Sequence, residues 1–161
     1  MNRAFLLTGS NLGESISLMN HAVHDIEEQI GRVVQLSHLY RSESWGYKSD
    51  GIFYNQCIEV ETDYNPHEIL DIILSIEMEM GRVRTETGYS DRKIDIDILF
   101  YGEEQINDPT LTLPHPRFHL RKFAIVPMNE IAGYFMHPVF GKTVNELLAE
   151  CTDKGLVSPV A

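Results

Sequence analysis

The stretch from Ile94 to Ile98 restricts the fold more than any other, because it alternates strictly between apolar and acidic residues. Ile94, Ile96 and Ile98 fall on one side of the pattern, and Asp95 and Asp97 fall on the other. Successive side chains leave a β-strand on opposite faces, so this period of two predicts a half-buried strand. It also places the two carboxylates on one face, with their Cα atoms roughly 7 Å apart.

Paired carboxylates at this spacing favour a shared cation. Their charges repel each other, so either one of them takes a proton or the pair binds a cation. Three arginines, Arg82, Arg84 and Arg92, precede them closely in the sequence. Carboxylates suit a hard cation and guanidinium groups suit phosphate oxygens, so the combination predicts a site for a Mg²⁺-polyphosphate complex. The alternative is a solvated acidic face whose charge the arginines neutralise.

The charge distribution favours a small anionic ligand. The formal net charge is −11, which argues against nucleic acid or an anionic membrane as the main partner. Seven of the 13 lysines and arginines nevertheless lie between positions 82 and 122. Because an otherwise acidic chain concentrates its cations there, we expect that region to bind a small polyanion.

Length and cysteine usage predict one domain in a reducing compartment. A chain of 161 residues can bury a substantial core, and we expect residues 1–161 to form a single domain and a monomer. Cys57 and Cys151 have no metal-ligand spacing. There is no secretory signal pattern and no apolar run near the ~20 residues that span a bilayer, so we expect a cytoplasmic protein with no membrane partner.

The patterns through Phe100 occur in the order strand, helix, strand, strand, helix, strand. The predicted strands are 4–8, 32–41, 53–61 and 94–102. The predicted helices are 16–30, with Gly31 at the C-cap position, and 66–80, which continues to Gly81. This order indicates an α+β class with the ferredoxin-like split β-α-β fold (βαββαβ), a mostly antiparallel sheet backed by two helices. The first and third strands would then be central, and the acidic strand would lie at an edge.

The remaining segments are predicted from their composition. Residues 42–52 and 82–91 have no apolar period and are predicted to be loops that become ordered on ligand binding. Residues 103–107 are predicted to return as a short hairpin partner. Residues 120–130 and 143–151 are predicted to be C-terminal helices, the second capped by Thr143.

Three side chains in these elements have two interpretations. Trp45, the only tryptophan, is favoured as a hydrophobic plug over a ligand platform. Asn55 is an amide suited to the edge of a heterocycle, or a structural asparagine that bonds to neighbouring backbone. Glu77 lies within an apolar helix stripe, so either it is paired or the helix end is partly exposed.

Several motifs occur together in an order known from one family. They are Gly9-Ser10-Asn11-Leu12-Gly13, Tyr40-Arg41, Phe53-Tyr54-Asn55, Gly81-Arg82-Val83-Arg84, Arg92-Lys93-Ile94-Asp95-Ile96-Asp97-Ile98, Pro114-His115-Pro116-Arg117 and Arg121-Lys122-Phe123. In this combination the sequence resembles the 6-hydroxymethyl-7,8-dihydropterin pyrophosphokinases of the folate pathway. The resemblance covers roughly residues 3 to 150.

The resemblance implies a reaction and a role for each matching residue. The β,γ-pyrophosphate of ATP would pass to the hydroxymethyl group of a reduced pterin, leaving AMP. Asp95 and Asp97 would bind two Mg²⁺ ions and act in catalysis with Arg82 and Arg92, which would stabilise charge on the transferred group. The nucleotide would be bound by Glu77, Arg84, Tyr89, Arg92, Ile98, Thr112, His115 and Arg121. The pterin would be bound by Ser42, Ser44, Trp45, Phe53, Asn55, Asp95 and Phe123, with its ring stacked between the two phenylalanines.

Two positions depart from the family pattern. Tyr89 stands where the family often has Trp and Asp91 where Pro is common, which affects loop closure more than the reaction.

Two other functions stay open. A metal-dependent phosphoesterase or nucleotidyltransferase could use the same aspartates, but it would need no aromatic clamp. A non-catalytic nucleotide- or metal-binding module is the other alternative, because a fold does not determine a function.

Overall fold

The chain forms a mixed α/β structure around an antiparallel sheet, which confirms the predicted α+β class. The computed structural model describes residues 1–11, 14–43, 52–84 and 94–160, with the backbone alone for 82–84. The elements in chain order are β1 (Asn2–Ser10), α1 (Ser15–Gln29), β2 (Arg32–Leu36), β3 (Tyr40–Glu43), β4 (Ile52–Thr62), α2 (Pro66–Arg84), β5 (Asp95–Tyr101), β6 (Ile106–Asn107), β7 (Thr112–Leu113), a 3-10 turn (Phe118–Leu120), α3 (Lys122–Ala132), α4 (Val144–Glu150) and β8 (Val157–Pro159).

The main sheet has the predicted central and edge strands. Its order is β5-β1-β4-β3-β8, with β2 also paired to β4, and every described pair is antiparallel. β1 and β4 are therefore central, and β5, which carries the acidic pair, lies at an edge. That position leaves one side of β5 accessible to side chains and loops from outside the sheet.

Apolar residues build a separate core on each face of the sheet. Leu6 of β1 and Ile96 of β5 belong to the core that α1 and α2 cover. Leu7 and Phe100 belong to the core under α3 and α4, where Phe100 packs edge-to-face on Phe118 with ring centroids 4.9 Å apart. Because neighbouring strand residues face opposite ways, the alternation seen in the sequence becomes two cores. No helix in the described segments is long and apolar enough to cross a membrane.

The second predicted strand is interrupted, which the sequence pattern did not indicate. Residues 37–39 separate β2 from β3. Ser37 is buried there, its N–H donates to the Cys57 carbonyl at 2.9 Å, and its Oγ accepts from the Cys57 N–H at 2.9 Å. The N–H of His38 donates to the Glu130 carboxylate of α3 at 3.0 Å. These contacts satisfy backbone groups of the residues between the two strands. β2 and β3 therefore both pair with β4 although the strand is interrupted.

Of the two glycines predicted at helix ends, Gly31 directly follows the C-cap of α1, whereas Gly81 lies inside α2. α1 ends at Gln29 with Ile30 as its C-cap, and Gly31 follows the helix. α2 continues through Gly81 to Arg84, so residues 82–84 are helical and not part of a loop as predicted. Glycine in a helix costs about 1 kcal/mol relative to alanine, and the apolar packing of the preceding turns outweighs that cost. Neither glycine has a positive φ.

The segment after β5 turns away from the sheet instead of pairing with it. β6 pairs with β7 in a separate two-stranded sheet, with Ile106 opposite Leu113. Gly102 has φ +52°, a left-handed conformation that suits glycine, and it directs the chain away from β5. Asp108 then closes the turn by accepting from the N–H groups of Thr110 and Leu111, both at 2.9 Å. The predicted hairpin exists, but β6 forms it with β7 and not with the preceding strand β5.

The C-terminal part contains the predicted helices and one strand that was not predicted. α3 starts at Lys122 because the residues before it form the 3-10 turn. α4 has the predicted Thr143 cap, which is a capping box with Glu146. β8 adds to the free edge of β3 through residues 157–159. A strand this short has no detectable period, so its place depends on the edge that β3 leaves open.

His137 connects the turn after α3 to the core and makes stability depend on pH. It is buried, its Nδ1 accepts from the N–H groups of Val139 and Phe140 at 3.2 Å, and its ring stacks on Phe140. Burial, assisted by the charge of His119, lowers its pKa from about 6.5 to about 4. The unfolded chain therefore takes up the proton first as the pH falls. The contribution of His137 is complete above pH 6.5 and is lost between about pH 6.5 and 4.

We expect His137→Asn to flatten this pH dependence. Asparagine can accept from N–H groups two and three residues later but does not titrate. The variant should be less stable than wild type at pH 7.5, where it lacks the ring stacking, and the gap should narrow toward pH 4.5. Urea unfolding at pH 7.5, 6.5, 5.5 and 4.5 measures the difference. Parallel stability curves for the two proteins would show that His137 does not titrate in this range.

Candidate active site

A cavity of about 660 Å³ lies at the end of the sheet face that α3 only partly covers. Its wall comes from β1, β3, β4, β5, the start of α3 and the segment before β8. The lining residues are Leu7, Gly9, Ser10, Asn11, Ser42, Glu43, Phe53, Asn55, Ile94, Asp95, Asp97, Arg117, Arg121, Phe123, Asp153, Gly155 and Val157. Seven of the residues predicted for the site lie in this wall: Ser42, Phe53, Asn55, Asp95, Asp97, Arg121 and Phe123.

The acidic pair lies on β5 with the geometry that its alternation predicts. Asp95 pairs with Gly9 of β1 and Asp97 pairs with Leu7, and both aspartates line the cavity. Asp95 is exposed and Asp97 is half-buried, whereas the intervening Ile96 is buried in the opposite core. The packing of the isoleucine face therefore presents both carboxylates to the cavity.

Glu77 supports the same strand from outside the sheet. Its Oε2 accepts from the Ile96 N–H at 2.7 Å, so a carboxylate of α2 binds the outer edge of β5 between the two aspartates. This contact resolves the two sequence interpretations in favour of a paired Glu77. A backbone N–H at a sheet edge needs an acceptor, and the half-buried Glu77 provides one.

The predicted aromatic and amide groups occupy the other side of the cavity. Phe53 and Asn55 share one face of β4, and Phe123 lies in the first turn of α3. Phe53 and Phe123 are half-buried, so each retains accessible ring surface. Asn55 is buried and its Nδ2 donates to the Thr8 carbonyl at 3.2 Å. Two accessible rings and an amide around one cavity suit a flat heterocycle with polar edges.

Cationic side chains lie beside the aspartates. Arg117 and Arg121 line the cavity, and the Arg121 guanidinium lies 5.5 Å from the centroid of the Phe123 ring. Burial lowers the pKa of His115, the Asp97 carboxylate opposes that shift, and the charges of Arg121 and Arg117 reinforce it. These four groups therefore share one electrostatic environment, in which an anion next to the aspartates would be stabilised by the arginines.

Two residues predicted to bind the nucleotide lie in a neighbouring cavity of about 360 Å³. Thr112 and His115 line it, and His115 is attached to the edge strand by its N–H, which donates to the Leu99 carbonyl at 2.9 Å. Ile98 lies on β5 with its side chain only 5% exposed in the core. Only backbone atoms of Ile98 can therefore meet a ligand without disturbing the core.

The other predicted residues fall outside what the structure describes. Ser44, Trp45, Tyr89 and Arg92 lie outside the described residues, as do most of the two loops expected to order on ligand binding. For Arg82 and Arg84 only the backbone is described, as the last turn of α2. The roles of all six remain those that the resemblance implies.

Several residues of the cavity had no role in the sequence interpretation. They are Gly9, Ser10, Asn11, Glu43, Arg117, Asp153, Gly155 and Val157. Gly9 and Arg117 stand in motifs that carry the resemblance, so a signal for them was present. Asp153 accepts from the Lys122 N–H at 3.0 Å and the Gly155 N–H at 2.8 Å, which attaches the C-terminal segment to the start of α3. A long-range contact of this kind leaves no local sequence pattern.

The donor set fits a hard divalent cation that is shared with an anionic ligand. Asp95 and Asp97 offer oxygen ligands, which Mg²⁺ prefers. Within the segments that the structure describes, no cluster of three or more His, Cys, Asp or Glu side chains could hold a metal ion. Mg²⁺ is commonly bound through one or two carboxylates together with water and substrate phosphates, so two aspartates beside arginines are sufficient.

Comparisons with known proteins agree on one family. The family model of 7,8-dihydro-6-hydroxymethylpterin-pyrophosphokinase (HPPK) matches residues 5–133. The chain is 39% identical to a 2-amino-4-hydroxy-6-hydroxymethyldihydropteridine pyrophosphokinase from Methylorubrum extorquens, over 97% of this chain and 98% of the relative. The protein of the same description from Aquifex aeolicus is 35% identical, over 96% and 95% of the two chains.

Solved structures share the fold at lower identity. A crystal structure of HPPK-DHPS in complex with substrates has a TM-score of 0.77 and 15% identity, over 92% of this chain and 43% of that one. Wild-type HPPK-DHPS from Plasmodium falciparum has a TM-score of 0.73 and 18% identity, over 92% and 44%. The present chain thus spans less than half of those larger chains.

Proposed function

The chain belongs to the 7,8-dihydro-6-hydroxymethylpterin-pyrophosphokinase family, and on that premise we propose how its own residues carry out the reaction. The activity is pyrophosphoryl transfer to hydroxymethyldihydropterin in folate biosynthesis. The donor is ATP, the transferred group is its β,γ-pyrophosphate, and AMP is the second product. One observation supports this assignment most: the 660 Å³ cavity combines the acidic pair, two arginines and the aromatic and amide groups that a pterin needs.

The pterin binds between the aromatic rings. Phe53 and Phe123 contact its two faces, and Asn55 forms hydrogen bonds with its edge. Each stacked face contributes roughly 0.5–1.5 kcal/mol beyond the burial of apolar area. This arrangement distinguishes the site from that of a general phosphoesterase, which needs no clamp for a flat ring. It also directs the hydroxymethyl group toward the side of the cavity where Asp95 and Asp97 lie.

The phosphates bind on the cationic side. Arg121 contacts phosphate oxygens and His115 the nucleotide. Arg121 lines the same cavity as Asp97, and the Asp97 carboxylate acts on the pKa of His115, which supports both roles. Arg82, Arg84 and Arg92 complete the set by resemblance. Phosphoryl-type transfer depends mainly on positioning and electrostatic stabilisation, so cationic side chains act here in place of a protein nucleophile.

Asp95 and Asp97 would hold two Mg²⁺ ions together with the phosphates. When bound, Mg²⁺ supplies Lewis-acid stabilisation of phosphate charge and favours deprotonation of the pterin hydroxyl. The aspartates themselves orient this assembly from a strand that the sheet and the Glu77 carboxylate hold in place. Thr112, Ile98 and Glu77 lie at the adenosine end of the bound nucleotide.

The test is AMP release from ATP, with and without 6-hydroxymethyl-7,8-dihydropterin and with and without Mg²⁺. We expect AMP only when both the pterin and Mg²⁺ are present, because an ordinary kinase would leave ADP. Chelation by EDTA should abolish the release, and adding Mg²⁺ in excess of EDTA should restore it.

Other outcomes would point to the alternative functions. ADP, or AMP that forms without pterin, would indicate a phosphoesterase or nucleotidyltransferase. Tight ATP binding with no turnover in the presence of pterin and Mg²⁺ would indicate a binding module. Activity that persists in EDTA would contradict the role of the aspartates as Mg²⁺ ligands.

A further inference from the structure

Gly9 forms the floor of the cavity between the acidic pair and the amide. In the sheet register it lies opposite Asp95 of β5 on one side and opposite Asn55 of β4 on the other. Gly9 also lines the cavity, so a side chain at this position would stand between the two groups. Neither composition nor periodicity gives this glycine a role in the site, because it directly follows the predicted strand 4–8 and its residue type indicates only a turn.

The amide of Asn55 lies directly over Gly9. Its Nδ2 donates to the carbonyl of Thr8 at 3.2 Å, and because a carbonyl oxygen can only accept, this contact determines which end of the amide is the donor. A Cβ built on Gly9 would lie 2.7 Å from that Nδ2, closer than real Cβ contacts allow. The next nearest atom outside Asn55 is the Tyr54 carbonyl oxygen at 3.6 Å, an ordinary contact.

From this geometry we infer that Gly9 is a positioning residue for substrate recognition. The absence of a side chain lets the Asn55 amide reach the Thr8 carbonyl. The contact leaves Oδ1 and the second amide hydrogen for the edge of the heterocycle. This inference rests on the proposed function, in which Asn55 binds the pterin edge. Gly9 acts through Asn55 and need not touch the reacting atoms.

Gly9→Ala therefore tests recognition without a large effect on the fold. The atom that must move is the far end of one side chain, whereas the backbone neighbour is at ordinary distance. When the new Cβ displaces the Asn55 amide, one well-placed hydrogen bond between Asn55 and the pterin is lost. This loss corresponds to about a tenfold weaker affinity for the pterin. We expect the KM for ATP and kcat to change by less than about threefold, since the phosphate and metal groups stay in place.

A double-mutant cycle separates positioning from a purely structural effect. Gly9→Ala, Asn55→Ala and the double variant are compared by titration with 6-hydroxymethyl-7,8-dihydropterin in the presence of Mg²⁺ and a non-hydrolysable ATP analogue. Thermal unfolding of each variant controls for the fold. We expect Gly9→Ala to weaken binding about tenfold in the wild-type background and less than about twofold when Asn55 is already alanine.

Each other outcome rejects a specific statement. Unchanged pterin affinity in Gly9→Ala, with weakened affinity in Asn55→Ala, would overturn the inference and leave the proposed function intact. Equal effects of Gly9→Ala in both backgrounds would overturn it as well, because Gly9 would then act independently of Asn55. Wild-type pterin affinity in Asn55→Ala would refute both the proposed role of Asn55 and the inference.

Discussion

Asp97→Asn is expected to lower pyrophosphoryl transfer by about a thousandfold or more, and Asp95→Asn by a similar factor. The substitution keeps the size of the side chain and removes the charge to which we assign Mg²⁺ binding. Stabilisation of phosphate charge by a metal ion amounts to several kcal/mol, and each 1.36 kcal/mol corresponds to about a factor of ten in rate. The fold should persist, because both aspartates point into the cavity while the isoleucines of β5 form the core.

The measurement is pterin-dependent AMP release at saturating Mg²⁺ and ATP, with circular dichroism as the control for folding. Asp63→Asn provides a matched substitution, because Asp63 is exposed just after β4, at the end opposite Phe53. We expect that variant to retain wild-type turnover. If either cavity variant kept turnover within about tenfold of wild type, the aspartates would not be the metal ligands of this reaction.

Gly31→Ala should cause the largest loss of stability among alanine substitutions at the glycines that the structure describes. A Cβ at this position would lie 2.1 Å from the Glu61 carbonyl oxygen and 3.1 Å from the Thr62 Cα. Both atoms belong to the backbone of the central strand β4, so the end of α1 would have to move. That movement would also break the buried hydrogen bond from Thr62 Oγ1 to the Ile30 carbonyl, which is 2.7 Å long. We expect a loss of about 3 kcal/mol.

Gly81→Ala is the matched control. Gly81 lies in helix α2, and a Cβ there would meet no atom of the described residues within 4 Å outside the neighbouring backbone of its own helix. Alanine should therefore stabilise the protein by about 0.5–1 kcal/mol through its higher helix propensity. Urea unfolding of both variants measures the two free energies. A Gly31→Ala variant as stable as wild type would show that the end of α1 can move away from β4 at little cost.

These two glycines illustrate the limit of local sequence signals. Each follows an apolar helical pattern, and each was predicted to end its helix. In the structure, Gly31 is required by the close approach of α1 to β4, and Gly81 lies in the continuing helix. The sequence contains the glycine in both cases, but the distance to another strand exists only after the chain folds.

The interrupted second strand and β8 have the same origin. The alternation from Val34 to Tyr40 predicts one strand, but contacts of Ser37 with Cys57 and of His38 with Glu130 divide it. These partners lie 20 and 92 positions away in the chain. β8 likewise depends on the exposed edge of β3. Long-range contacts such as these carry no local period, so a pattern-based prediction cannot include them.

The sequence by itself determined the class of the fold, the central and edge strands and the common face of the acidic pair. Those features depend on periodicity and on residue type, which are local properties. Only the tertiary structure decided which groups meet in one cavity: Asp95 and Asn55 opposite Gly9, and Asp153 at the start of α3. Their proximity results from strand register and from packing between distant segments, and these are settled only when the whole core forms.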